Sequence, residues 1–238
     1  CTSHYTPKTY SDAISCEEKQ KWMASIRDEY MNMKKHDVFD AVPLDDSIRN
    51  VMKCKLVFRV KLNRNGTIEK YKTRLCGKGF TQRYGIDFCE TFSPVVKGAS
   101  LQTFLHLCAK HKLNPYQFDI SAAFLTAKIE DKYQIYMEPP PGMTVPAGHV
   151  LRLKRGLYGT KQGCRLFGKE FHDFLKELGF QPSPLDPCVF IQRKQGEMAV
   201  LAIHVDDGLI GATSASLRNE IARKLTQRYA LSTQLKPL

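Results

Sequence analysis

Met198-Ala199-Val200-Leu201-Ala202-Ile203-His204-Val205-Asp206-Asp207-Gly208-Leu209-Ile210-Gly211 decides the fold: an apolar run, a tight acidic turn and a second apolar run. Two strands returning through a short turn place both aspartates at a hairpin tip, where oxygen ligands can hold a divalent cation. The dipeptide by itself is more often a solvated turn. Working outward, Asp119 closes another short strand, Tyr116-Gln117-Phe118-Asp119-Ile120, ahead of the helix-like Ser121-Ala122-Ala123-Phe124-Leu125. Three carboxylates from two strand ends suit a two-metal phosphoryl-transfer site.

With 42% apolar residues in 238, the chain can bury a substantial core and is not a disordered polyelectrolyte. Its net charge of +12 predicts attraction to a polyanion. The cations cluster: Lys53, Lys55, Arg59, Lys61, Arg64, Lys70, Lys72, Arg74, Lys78 and Arg83 face the single acid Glu69 over that stretch. No run is long enough to span a bilayer and no basic amphipathic helix carries these charges, so no membrane partner is expected. The eight cysteines are widely spaced without a Cys-x-x-Cys pair, which predicts reduced intracellular thiols. His106, Cys108 and His111 fall in one apolar helix and are read as helix-face residues, not zinc ligands. The chain opens on Cys1 and stops at Leu235-Lys236-Pro237-Leu238 without a closing element, so it reads as an excerpt of a longer polypeptide.

Ser15-Cys16-Glu17-Glu18 has the pattern of a capping box, and Trp22, Ile26, Tyr30 and Met33 recur at helical spacing to about Lys35. Leu56, Phe58, Val60 and Leu62 alternate with Arg59 and Lys61, which predicts a half-buried strand with a basic face. Asn63-Arg64-Asn65-Gly66 turns the chain, and Lys70, Lys72 and Arg74 share a face of the returning strand because side chains alternate with period two. Ser100 is read as the cap of a helix carrying Leu101, Phe104, Leu105 and Cys108. Strands with interspersed helices and short connections indicate an α+β fold, helices packed on one face of an antiparallel sheet and the carboxylates on the open face.

Seven segments then carry a family resemblance. Phe58-Arg59-Val60-Lys61, Tyr71-Lys72-Thr73-Arg74-Leu75, Lys78-Gly79-Phe80-Thr81-Gln82, Glu90-Thr91-Phe92-Ser93-Pro94-Val95-Val96, Phe118-Asp119-Ile120-Ser121-Ala122-Ala123-Phe124-Leu125, Leu157-Tyr158-Gly159-Thr160-Lys161-Gln162 and Val205-Asp206-Asp207 stand in one order. In this the chain resembles the reverse transcriptases of copia-type LTR retrotransposons, part of a Pol polyprotein.

The resemblance implies a single reverse transcriptase domain over 1–238 with the right-hand polymerase fold. Fingers would span roughly 17–114 plus part of 138–163. The palm, a ferredoxin-like antiparallel sheet, would span roughly 115–137 and 164–238, with thumb and ribonuclease H outside the chain. It implies RNA-directed DNA polymerisation: Asp119, Asp206 and Asp207 would hold two Mg²⁺ ions, Mn²⁺ being able to substitute, while a primer 3′-hydroxyl attacks a deoxynucleoside triphosphate on an RNA or DNA template. Lys61, Lys72 and Arg74 would grip the triphosphate, Phe124 would act as steric gate under the sugar, Gln162 would position nucleotide or template, and His204 would contact the primer. A cytoplasmic virus-like particle, with the nucleus as a second location, and the remaining Pol segments would be its surroundings. The chain departs from the pattern at His204 for tyrosine, Thr160 for leucine, Gly163-Cys164 for Ala-Pro, and Leu56 and Phe167 for tryptophans. The alternative is therefore a catalytically decayed remnant that keeps the fold and nucleic-acid binding.

Overall fold

The structure, a computed structural model, describes residues 5–231 and 236–237; Cys1, Leu235 and Leu238, on which the reading of the chain ends rests, lie outside the described residues. In chain order the elements are α1 (Tyr10–Ser15), α2 (Lys19–Lys35), β1 (Phe39–Pro43), β2 (Val51–Met52), β3 (Cys54–Leu62), β4 (Ile68–Gly77), α3 (Gly98–His111), β5 (Asn114–Asp119) and α4 (Ala123–Thr126). They continue with β6 (Ile135–Met137), β7 (His149–Leu153), α5 (Gly163–Glu177), β8 (Gln181–Pro182), β9 (Val189–Lys194), β10 (Glu197–His204), β11 (Asp207–Ala212), α6 (Ala215–Arg228) and β12 (Lys236–Pro237). Among the described residues no helix is long and apolar enough to cross a membrane. The chain forms two compact units, Cys1–Thr91 with Ala127–Gly163, and Phe92–Thr126 with Cys164–Leu238.

The first unit holds the β3–β4 hairpin and a four-stranded sheet in the order β1-β7-β6-β2. Leu56 and Phe58 on β3 face Leu75 and Thr73 on β4, and all four are buried. The fully buried Trp22 of α2 meets Phe58 and Tyr71 edge-on, with centroids 5.4 and 4.8 Å away. By the two-residue period of a strand, Val57, Arg59 and Lys61 then share the other face with Arg74, Lys72 and Lys70, their register partners. The expected helix is present but starts at Lys19, without a side-chain cap. The capping box lies at Thr9 and Asp12, where it begins α1, and Ser15 is that helix's last residue. The box needs a backbone that enters helically just after it, and the Ser15–Glu18 segment is instead the corner between two helices.

The second unit is a six-stranded sheet in the order β12-β5-β11-β10-β9-β8, every neighbouring pair antiparallel. The path β5-α5-β10-β11-α6-β12 with spatial order β12-β5-β11-β10 is the βαββαβ connection of a ferredoxin-like sheet. Arg218 of α6 lies over the Tyr116 ring, 4.2 Å from its centroid, and Tyr116 is the register partner of Ile210. Phe167, Phe171 and Phe174 of α5 pack against Tyr229 just beyond α6, so these two helices lie together on that face. The opposite face of β10, Met198, Val200 and Ala202, packs on Phe104 and Cys108 of α3. Met198 to Ile203 are consequently all buried, which is why that run is apolar without alternation. Helix α3 starts at Gly98, two residues before the expected cap. Its Lys97 N–H donates to buried Asp186 Oδ2 at 2.9 Å, so a carboxylate distant in sequence satisfies the helix start.

Candidate active site

Register assembles the acidic cluster. β10 and β11 pair His204 with Asp207, leaving Val205-Asp206 as a two-residue turn, and β11 pairs Asp207 with Asp119 on β5. The Ile120 N–H donates to the Asp206 carbonyl at 2.9 Å, tying the tip to the end of β5. One carboxylate oxygen from each of Asp119, Asp206 and Asp207 lies within 4.8 Å of the other two. Asp207 is exposed and the other two are half-buried, so a cation can enter from solvent. Hard oxygen donors converging from rigid strand ends fit a hard divalent ion. His204 is exposed and sits directly across the turn from Asp207.

Val205 has φ +60, a left-handed conformation that costs a β-branched residue about 1–3 kcal/mol. A positive φ at the first turn residue only is the sign pattern of a type II′ hairpin, which matches the twist of the strands. Gly208 follows the pair because it faces Phe118: a Cβ there would lie 2.1 Å from that buried ring.

A cleft of about 400 Å³ runs from Val205 along α5 and is lined by Phe92, Pro94, Arg165, Lys169, His172 and Lys176, among others. The α5 residues are spaced by four, three and four, which sets them on one helix face. Phe92 is 80% exposed, a platform on which a planar ring can stack. Burial, then nearby Lys176, pushes His172 below the usual histidine range, so it adds an edge-on ring against Phe190 and no charge near neutral pH. Phe124 on α4 packs edge-on against Phe167 at 6.4 Å.

In the first unit Lys61, Lys72 and Arg74 share the polar face of the β3–β4 hairpin. Burial, then Arg74 and Lys61, holds Lys72 below the usual lysine range. This cationic field is disposed to take an anion. Arg74 lies over the Tyr158 ring, 4.9 Å from its centroid. Gln162 is 4% exposed, and both ends of its amide are engaged within the unit. Its Nε2 donates to the Asp87 carbonyl at 2.9 Å and its Oε1 accepts from Gln82 Nε2 at 3.1 Å.

The structure therefore joins Asp119, Asp206, Asp207 and His204 at one hairpin end, with Phe124 in the same unit. Lys61, Lys72, Arg74 and Gln162 belong to the other unit. Sequence reasoning missed Val205, Tyr158 and the buried Gln82–Asp87 partners of Gln162. A two-residue hairpin turn demands a positive φ, so Val205 was available to that argument. The others depend on contacts across 75 residues or more and leave no local signal.

A family model described as reverse transcriptase (RNA-dependent DNA polymerase) matches residues 36–236. The retrovirus-related Pol polyprotein from transposon TNT 1-94 of Nicotiana tabacum is 34% identical over 226 residues, 94% of this chain and 17% of that polyprotein. That from transposon RE1 of Arabidopsis thaliana is 30% identical over 221 residues, 92% of this chain and 15% of its own length. The chain thus spans under a fifth of these curated relatives. A foamy viral protease-reverse transcriptase solved in complex with double-stranded DNA aligns with TM-score 0.45 and 15% identity, over 88% of this chain and 30% of that one.

Proposed function

The chain belongs to the reverse transcriptase (RNA-dependent DNA polymerase) family, and on that premise we propose that it performs the polymerase step of a retrotransposon Pol polyprotein. It extends a primer on an RNA or DNA template with deoxynucleoside triphosphates. The unit with the six-stranded sheet is the palm and the unit with the basic hairpin the fingers. The observation that carries the reading is the strand register that gathers Asp119, Asp206 and Asp207. These carboxylates would hold two Mg²⁺ ions, with Mn²⁺ able to replace them, and such ions would supply charge neutralisation at the attacking 3′-hydroxyl and at the departing pyrophosphate.

The chain's own residues do the rest by position. His204, exposed beside Asp207, contacts the primer terminus, and its shorter ring in place of tyrosine lowers the rate without disturbing the fold. Phe124 excludes a ribose 2′-hydroxyl. Lys61 and Lys72 bind the triphosphate as point charges and Arg74 as a planar fork. Gln162 acts from the interior, by fixing the loop that leads to it. The cationic cleft along α5 takes a strand of template through phosphates on Arg165, Lys169 and Lys176 and a base on Phe92. The remaining Pol segments are its neighbours in a cytoplasmic virus-like particle.

Primer extension and Mn²⁺ titration by the free-ion paramagnetic signal test this together. Asp119→Asn or Asp206→Asn should lower extension on the order of a thousandfold and weaken Mn²⁺ binding, with primer–template affinity and melting temperature held. Unchanged extension in either variant would sink the catalytic assignment. Absent extension by the chain completed with a thumb segment, with nucleic acid still bound, identifies a decayed remnant.

A further inference from the structure

We infer that Tyr158 is a positioning residue for nucleotide binding: its ring holds the guanidinium of Arg74 in the plane from which it grips a triphosphate. The inference rests on the reading that Arg74 contacts the triphosphate. It begins from the contact itself, Arg74 Cζ 4.9 Å from the Tyr158 ring centroid. Arg74 is half-buried near the Glu29 carboxylate, but an arginine side chain keeps several rotatable bonds, and a neighbouring charge alone does not fix the plane of its guanidinium. An aromatic ring against its flat side removes that freedom while leaving the in-plane N–H donors to a phosphate.

Such a wall works only if it does not move, and the backbone of Tyr158 is clamped. The Gly77 N–H donates to the Tyr158 carbonyl at 2.8 Å, three residues after Arg74 on the same strand. The Gly79 N–H donates to the Gly159 carbonyl at 3.1 Å. The approach is so close that a Cβ on Gly79 would fall 2.3 Å from the Gly159 oxygen, and one on Gly159 would fall 2.4 Å from the Gly77 oxygen. Gly159 also has φ +78, so it is a glycine for two reasons. Just beyond it the Lys161 N–H donates to Gln82 Oε1 at 2.7 Å, and Gln82 is bonded to Gln162, which reaches the Asp87 carbonyl. Gln82, Gln162 and Asp87 are all buried, and Asp87 is further held by Asn50 Nδ2 at 2.6 Å and the Arg83 N–H at 2.7 Å. Buried amide chains of this kind are stiff because every broken bond strands a polar group. The end of β4 and the Tyr158 loop therefore move as one piece, and the guanidinium sits between them.

The test uses the full 238-residue chain on a dideoxy-terminated primer–template with Mg²⁺, titrating the complementary deoxynucleoside triphosphate. Tyr158→Leu should weaken triphosphate binding about two- to fivefold, the scale of an exposed cation–π contact. Tyr158→Phe, which keeps the ring, should bind as the parent does. Arg74→Ala should lose more, and Tyr158→Leu added to it should cost nothing further. Primer–template affinity and melting temperature should hold in Tyr158→Leu; a fall in either makes the ring a packing residue and overturns the inference. So does a loss from Tyr158→Leu that persists undiminished in the Arg74→Ala background, or an Arg74→Ala loss that Tyr158→Leu does not share in part. If Arg74→Ala leaves triphosphate binding untouched, or the parent chain binds none, the underlying reading of Arg74 fails, and the role of Tyr158 with it.

Discussion

The β3–β4 and β10–β11 hairpins share a backbone plan and differ in what surrounds them. β10–β11 lies inside a six-stranded sheet, and its strand β10 is covered on both faces, so its pairing leaves little freedom and its tip is delivered to one place. β3–β4 is a two-stranded sheet with one face on Trp22 and the other a field of like charges, Arg59 opposite Lys72 and Lys61 opposite Lys70. Its turn is relaxed, with Gly66 at φ +81, whereas the acidic turn forces Val205 to φ +60. Each hairpin thus carries its own destabilising feature beside the groups assigned to function: backbone strain next to Asp206, and repulsion around Lys72. The surrounding fold is what sustains both.

Three substitutions sharpen this comparison. The largest effect is expected from Gly208→Ala, because the new methyl must displace the enclosed Phe118 ring. Chemical denaturation should show a loss of about 2–3 kcal/mol. A cost below about 0.5 kcal/mol would mean the sheet around the acidic tip yields easily, and the contrast with the basic hairpin would collapse.

Val205→Gly should act in the opposite direction. Relief of about 1–3 kcal/mol of strain exceeds the extra chain entropy of glycine, leaving a net gain of about 1 kcal/mol in the same measurement. Primer extension should fall, since the tip that aims Asp206 becomes pliable. Lost stability instead would show that Val205 is held mainly by packing.

The smallest effect belongs to Lys72→Met. Lys72 is held below its ordinary value of 10.5 by burial first and by Arg74 and Lys61 next. A lysine whose folded pKa is lowered destabilises the fold while it is charged. That cost is present below the folded pKa and fades as pH rises through it toward 10.5. Removing the charge should therefore stabilise the chain at neutral pH by less than about 0.5 kcal/mol, screening being strong on a half-exposed strand. The gain should shrink in high salt and in strong alkali, and triphosphate binding should weaken. A gain that ignores both salt and pH would place its origin in packing.

Much of this is legible in the sequence alone. The alternation assigned the buried and basic faces of β3 correctly from Leu56 to Val60, because side-chain direction in a strand follows from period two alone, but it fails at Leu62, which is exposed where the register shifts after Lys61. The unbroken run Met198–Ile203 is legible as an apolar strand, but that both of its faces are buried, with α3 on the Met198, Val200 and Ala202 side, is a matter of tertiary packing. Helix beginnings were less legible. Ser15 and Ser100 have the local chemistry of caps, while the structure starts α2 at an uncapped corner and lets Asp186, far along the chain, serve α3.

By itself, then, the sequence determined the β3–β4 hairpin with its apolar and cationic faces, and a tight hairpin that carries Asp206 and Asp207 at its end, although the turn is Val205-Asp206 and Asp207 already belongs to β11; each follows from interactions between near neighbours. Tertiary structure alone decided that Asp119 lies opposite Asp207, that Gln162 points inward to Asp87, and that Tyr158 backs Arg74. These are matters of strand register and loop packing between distant segments. Their energies come from burial and hydrogen bonds that exist only once both segments are in place.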